Sequence, residues 1–261
     1  MPKFAANLTL LFTEVPLLDR FNAARAAGFN AVEILYPYSS DADELSAKLK
    51  ESGLTQVLIN SPPGDWENGE RGISALPGRE TEFRDSLDQT MVYAKALNTK
   101  IVHIMAGIVA NGLSDTKVVD TFITNLSYAA ETFGKAGINV TIEPLNTRNV
   151  NGYLLSRQSE ARDIIERVGH PNLGLQFDFF HVQITEGDLI TKLEEFLPNI
   201  SHIQIAGVPS RHEPDIGEIN YPYIFKRLDK LGYTGYVGCE YNPATFTEAG
   251  LGWFRSASNN Q

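Results

Sequence analysis

Four successive strand-like stretches in the second half of this chain end in a carboxylate or an amide: Glu143 after NVTI, Asp178 after LGLQF, Gln204 in SHIQI and Glu240 after YVGC. If those stretches are neighbouring parallel strands, three negative charges and one neutral oxygen converge on one rim. That set calls for a cation, and all-oxygen ligation without thiolate or imidazole suits Mg²⁺ or Mn²⁺ better than Zn²⁺. Glu143 and Glu240 would face each other across a barrel mouth. One can remove a proton from a carbon beside a carbonyl while the other delivers one to the adjacent carbon, with the cation stabilising the enediolate. That is aldose–ketose isomerisation, which needs neither a nucleotide nor a redox cofactor.

Other residues gather around this set. His181, three residues after Asp178, reaches the same rim from the sixth loop as a donor to a substrate oxygen or an accessory metal contact, or else is a locally bonded helix-start histidine. His202 lies one layer below Gln204 and reads as a supporting partner, and His103 as a satisfied lumen residue. Arg71 and Arg211 can grip a substrate carboxylate in a bidentate fork, the alternative being local pairing with Glu70 and Glu213. Trp66, Phe12, Tyr36 and Tyr241 could wall a small pocket or simply pack. Cys239 reads as a small hydrophobe facing the helices.

The elements that must position these residues are legible in the pattern. Short β-branched or aromatic runs occur at 3–8, 30–35, 55–60, 100–105, 138–143, 173–178, 201–206 and 235–240. Helix-like spacing fills 16–27, 41–52, 80–97, 115–136, 157–168, 188–196 and 221–231, several of these ending at a glycine. Strict alternation predicts an α/β fold, a (β/α)8 TIM barrel, as a single domain over residues 1–261. An open doubly wound sheet is the alternative, but the Gly-rich dinucleotide fingerprint is missing after the first strand.

Successive strand residues face opposite ways. In the last four strands Asn139, Thr141 and Glu143, then Gln176 and Asp178, then His202 and Gln204, then Tyr236, Gly238 and Glu240 each share a face opposite an apolar one. The apolar face should pack under helices and leave a polar lumen. The loops 61–79 and 207–220 are longer than packing requires, and both follow strands, on the face where barrel sites lie. Closure of 61–79 over a reactive intermediate is an expectation from its length and Gly/Pro content.

Lysine and arginine total 22 against 32 acids, a net charge of −10 with no basic run, which disfavours nucleic acid and anionic lipid. No stretch is apolar enough to cross a membrane, and the single cysteine excludes an intrachain disulfide framework. A cytoplasmic protein is the expectation, and self-association into a homo-oligomer stays open.

At these residues the sequence resembles the hydroxypyruvate isomerase family, within the xylose-isomerase-like TIM barrels. The likeness runs from FAANLTLLFTEVPLLDRFNAARAAGFNAVEILYPY through GDWENGERGISALPGRE, IEPLN, QFDFFHVQ and HIQIAGVPSRHEPDIGEINY to GYVGCEYNPATFTEAGLGWF, nearly the whole chain. It implies that Glu143 and Glu240 are the proton carriers and that Glu143, Asp178, Gln204 and Glu240 ligate a Mg²⁺-like ion. It also implies a small anionic hydroxy-oxo acid substrate. One branch interconverts hydroxypyruvate and tartronate semialdehyde (2-hydroxy-3-oxopropanoate), the first expectation here; another isomerises 2-oxo-tetronate. DWENGERGI and IEPLN resemble the first branch, whereas LLFTEVP, HIMAGIV, INYPYIF and EAGLGWF resemble the second. A ketose 3-epimerase would use the same glutamates but typically has histidine where Gln204 stands. A metal-dependent phosphodiesterase like the barrel endonucleases would need a multi-histidine, multi-metal site and a basic surface. A noncatalytic sugar-acid binder would have no use for both glutamates.

Overall fold

In the computed structural model, which describes residues 2–110 and 112–258, the β-branched runs form nine parallel strand segments. These are β1 (Lys3–Asn7), β2 (Ala31–Glu33), β3 (Thr55–Gln56), β4 (Leu58–Asn60), β5 (Ile101–His103), β6 (Asn139–Ile142), β7 (Leu173–Asp178), β8 (Ile200–Ile205) and β9 (Tyr236–Cys239). Their order is β3-β2-β1-β9-β8-β7-β6-β5-β4. β3 and β4 are two halves of one stave interrupted at Val57. Backbone bonds from Val57 to Val32 (2.8 Å), Ile34 to Leu58 (3.2 Å) and Asn60 to Leu35 (2.9 Å) carry the pairing across that break and close the ring. The eight expected runs therefore make an eight-stave barrel, the third stave split.

The expected helices are α1 (Leu17–Ala26), α2 (Ala42–Ser52), α3 (Glu80–Ala96), α4 (Thr116–Gly134), α5 (Gln158–Val168), α7 (Leu189–Phe196) and α8 (Tyr221–Lys230), with α6 and α9 additional. Local chemistry sets their ends: Asp41 caps α2 by accepting from the Asp43 and Glu44 amides, and Gly53 ends it in the left-handed conformation that an L side chain resists. α6 (Phe179–Thr185) begins directly at the sixth stave, so His181 stands on a helix and not in the expected loop. α9 (Gly252–Ser258) lays Trp253 and Phe254 on the first stave and α8; Phe254 stacks on Phe29 at 4.1 Å, and Trp253 meets Phe4 edge-on at 5.2 Å.

The period-two pattern holds around the ring. Val32, Ile59, Val102, Val140, Ile142, Leu175, Phe177, Ile203, Ile205, Val237 and Cys239 join the helices in one large core, while Ala5, Ala31, Val57 and Leu58 form a separate small cluster with Ile101 and Tyr236. The lumen is thus apolar at its lower end and polar above. Parallel register keeps the polar positions level: Asn7 beside Glu33, Asn60 beside His103, His103 beside Thr141, Gln176 beside His202, and Asp178 beside Gln204. Among the described residues no helix is long and apolar enough to cross a membrane.

Both long loops lie at the carboxyl end of the staves. The 61–79 loop is tied to the segment after β5 by a Gly72–Ala106 bridge and a Ser74 hydroxyl donating to Met105 carbonyl (2.8 Å). A Cβ on Gly72 would stand 2.3 Å from that carbonyl, so this approach requires glycine. In the 207–220 loop, Glu213 is buried and accepts the Ala244 amide, so it is not Arg211's partner.

Candidate active site

Glu143 and Glu240 directly follow β6 and β9, Asp178 ends β7, and Gln204 lies in β8; all four are buried. Glu143 and Glu240 line one cavity of about 670 Å³, together with Tyr36, Trp66, Arg71, His103, His181 and Arg211. Beneath it runs a chain of hydrogen bonds. Thr141 Oγ1 donates to Gln176 Oε1 (3.1 Å), and Gln176 Nε2 donates to Gln204 Oε1 (2.7 Å) and Glu143 Oε2 (3.2 Å). Gln204 Nε2 donates in turn to Glu33 Oε2 (3.1 Å).

This chain leaves two carboxylate oxygens over at the rim, and Glu33 Oε1 deeper in the lumen also lacks a hydrogen bond, with His202 Nε2 2.5 Å from it. Glu143 Oε1 and Asp178 Oδ2 are buried without a hydrogen-bond partner, although Asp178 Oδ1 accepts the Phe180 amide at 2.8 Å and so caps α6. A carboxylate oxygen each from Glu143 and Asp178 and a ring nitrogen of His181 lie within 4.8 Å of one another, a group that does not include Glu240, and its two oxygens are the atoms able to ligate. Burying such oxygens unpaired is costly, and positive charge is what they lack. Part of it comes from Arg211, whose Nη2 is 2.6 Å from Glu240 Oε1 and 3.7 Å from Asp178 Oδ2. The donor set therefore fits a divalent cation.

The proton affinities express the same deficit. Burial, reinforced by Glu240 and Asp178, pushes the Glu143 carboxyl well above its usual range. Burial lifts Glu240 to about 8 and Asp178 to about 6, against the pull of Arg211 on both. Burial also drives His181 well below its ordinary value, and His103 down to about 3. Both rings are neutral near pH 7.

For His181 the tautomer follows. Nδ1 accepts the Asn146 backbone N–H at 3.0 Å, so the proton of the neutral ring is on Nε2, 3.7 Å from Asp178 Oδ2. His181 thus offers a donor at the rim rather than a lone pair. His103 departs from the expected satisfied lumen residue: neither ring nitrogen finds a hydrogen bond, and Nε2 lies 3.9 Å from Glu143 Oε2. His202 lies below the rim as expected, with Nε2 2.5 Å from Glu33 Oε1.

The two arginines part ways. Arg211 joins the carboxylates directly. Arg71 stays in the 61–79 loop, stacked 3.5 Å over the Trp66 ring and donating to the Trp66 and Glu70 carbonyls, with its guanidinium on the cavity wall. The Glu70 carboxylate pairs with Arg79 instead. Of the four aromatics, Tyr36 and Trp66 face the cavity, whereas Phe12 and Tyr241 are core.

A sequence profile described as xylose isomerase-like TIM barrel matches residues 21–257. The chain belongs to that family. Within this xylose isomerase-like family, the 2-oxo-tetronate isomerase of Cupriavidus necator is 50% identical over 255 residues, covering 98% of each chain. The hydroxypyruvate isomerase of Escherichia coli is 43% identical, covering 97% of this chain and 98% of that one. A crystal structure from Brucella melitensis, described as an AP endonuclease of family 2, matches with a TM-score of 0.96 at 52% identity, covering 98% and 99% of the two chains. The barrel of L-ribulose 3-epimerase matches at a TM-score of 0.78 and 22% identity, covering 98% and 86%, a likeness of fold.

Reading the sequence put Gln176 on the polar lumen face without a role and missed Glu33; these two residues wire the rim together. Both carry the signal that revealed Glu143: a polar side chain alternating with Val, Ile, Leu or Phe inside a strand.

Proposed function

We propose that this protein isomerises a short hydroxy-oxo acid by moving a proton between C3 and C2, with Glu143 and Glu240 as the two proton carriers. The observation that carries the reading is that both glutamates line one cavity, three staves apart, beside buried carboxylate oxygens that lack a partner. Glu143, Asp178, Gln204 and Glu240 would hold a Mg²⁺ or Mn²⁺ ion, which when bound supplies positive charge to the adjacent oxygens on C2 and C3.

The chain's own groups supply the rest. One glutamate takes the C3 proton, the other returns a proton to C2, and the hydroxyl proton passes from O3 to O2, so the ketone moves one carbon along with no net change in atoms. The His181 Nε2–H can donate to a substrate oxygen. Arg211 and Arg71 offer guanidinium forks to the carboxylate, in a protein whose net charge of −10 otherwise repels it. The same acidity and acid-lined cavity disfavour a phosphodiester substrate, notwithstanding the description given to the Brucella melitensis structure.

Hydroxypyruvate and 2-oxo-tetronate undergo the same proton shift and differ by one CH₂OH group on C3. The first yields tartronate semialdehyde and the second the 3-oxo acid. The sequence motifs are a mixture of the two branches, with hydroxypyruvate the first expectation; identities of 50% and 48% to 2-oxo-tetronate isomerases against 43% to the Escherichia coli hydroxypyruvate isomerase favour the four-carbon acid. Assayed in parallel in D₂O, 2-oxo-tetronate is expected to lead in kcat/KM by roughly 10- to 200-fold, what one such group contributes in a fitted pocket. Solvent deuterium is expected at C2 of the product. Turnover without deuterium would replace proton transfer by a hydride shift and overturn the glutamates' role. Absence of turnover of both acids would overturn the substrate class.

A further inference from the structure

We propose that Glu33 is a positioning residue that fixes which way the Gln204 amide faces, so that its oxygen and not its NH₂ group is presented to the cation site. The inference deepens, and rests on, the cation reading of the rim. A terminal amide is nearly symmetric in shape and opposite in chemistry at its two ends; turned over, Gln204 would aim two N–H donors at a cation.

Glu33 is fully buried at the end of β2, and β1 and β9 lie between it and β8. Its carboxylate nevertheless crosses the lumen to Gln204. Glu33 Oε2 accepts from Gln204 Nε2 at 3.1 Å and from Asn7 Nδ2 at 3.3 Å, and His202 Nε2 stands 2.5 Å from Oε1. An acceptor of this kind can only be met by the NH₂ end of Gln204. The other end is fixed from the opposite side: the Glu143 carboxylate accepts from Gln176 at 3.2 Å, so the Gln176 end facing it is Nε2, and that same Nε2 donates to Gln204 Oε1 at 2.7 Å. A carbonyl oxygen has two lone pairs, and this bond occupies one.

Room for the crossing is built into β9. Gly238 pairs in register with Gln204, and a Cβ on it would stand 2.3 and 2.5 Å from the two Glu33 oxygens. Its backbone is outside the left-handed region, so the conformation does not require glycine. What an alanine would meet there is the Glu33 carboxylate.

The test is Mn²⁺ binding to the full chain, by calorimetry and by the paramagnetic resonance of free and bound ion, together with thermal melts of the cation-free protein. Glu33→Gln, an isosteric change, is expected to raise the Mn²⁺ Kd about 10- to 100-fold, the usual effect of removing a ligand's orienting partner, with the cooperative melt kept. Gly238→Ala, which displaces the same carboxylate, is expected to weaken Mn²⁺ in the same way. The double variant E33Q/Q204E, in which the amide at 33 donates to a carboxylate at 204, is expected to bind at least as tightly as wild type. An unchanged Kd in E33Q, a double variant as weak as E33Q, or loss of the cooperative melt in E33Q would each overturn the assignment. Wild-type protein that fails to bind Mn²⁺ would overturn the cation reading itself, an outcome distinct from tight binding by both wild type and E33Q.

Discussion

Replacing either Glu143 or Glu240 by glutamine is expected to lower kcat by about 10²- to 10⁴-fold, the range assigned to a positioned acid or base, with the barrel still folded. The two carboxyls lie at staves five and eight of the ring, and burial raises the affinity of both for protons, reinforced by Glu240 and Asp178 at Glu143 and by Asp178 and Glu33 at Glu240. A pair in that condition can hold one proton between its members, which is the state a proton shuttle needs: one ionised to receive, one protonated to deliver. Glutamine keeps the shape and removes the capacity. If the two glutamates serve different carbons, the variants must also differ in exchange. One should still wash deuterium into C3 of the starting acid without forming product and be silent from the product side; the other should show the reverse. Among the described residues no arginine pairs with Glu143, so removing its buried, repelled carboxylate should also raise the melting temperature of the cation-free protein, whereas Glu240 pairs with Arg211 at 2.6 Å and its variant is checked by a retained cooperative melt. A rate near wild type in either variant would end the two-glutamate mechanism.

How much of this was legible beforehand depends on whether the information was local. Strand and helix periods are local, and all eight runs and seven main helices lie within two residues of where the spacing places them. Parity is local too, and it brought Glu143, Asp178, Gln204 and Glu240 to one rim. What parity cannot show is which partner a lumen side chain selects. Arg211 could have bonded Glu213 two residues on, but Glu213 is folded back onto the Ala244 amide and the guanidinium turns to Glu240. Glu33 and Gln204 are 171 residues apart in the chain and are brought together by ring closure and by the missing side chain of Gly238. α6 was hidden because FFHVQIT carries no amphipathic period; its start is written in Asp178, which caps the helix with one oxygen and faces the rim with the other.

Chelation is expected to abolish turnover and added Mg²⁺ or Mn²⁺ to restore it, and the cation should also stabilise the fold by an amount that grows with pH. The folded values of Asp178 and Glu240, about 6 and about 8, lie above the ordinary 3.8 and 4.5. The folded chain therefore retains protons that the unfolded chain releases. The sign follows: this contribution to stability is fully present below about pH 4 and is lost as pH rises through those two values. Each pKa unit is worth ~1.4 kcal/mol. Even half of the displacement of Glu240 amounts to about 2 kcal/mol, or roughly 4–8 °C in Tm for a chain of this size. A cation replaces those protons as the counter-charge. Saturating Mg²⁺ should thus raise Tm by several degrees at pH 8, where the carboxyls repel, and by little at pH 5.5, where protons already neutralise them. Melts with EDTA or Mg²⁺ at the two pH values make the comparison directly. A cation effect equal at both, or larger at pH 5.5, would mean that the ion binds elsewhere than among these carboxylates, because among the described residues Glu143, Asp178 and Glu240 are the carboxyls that hold protons above their ordinary range.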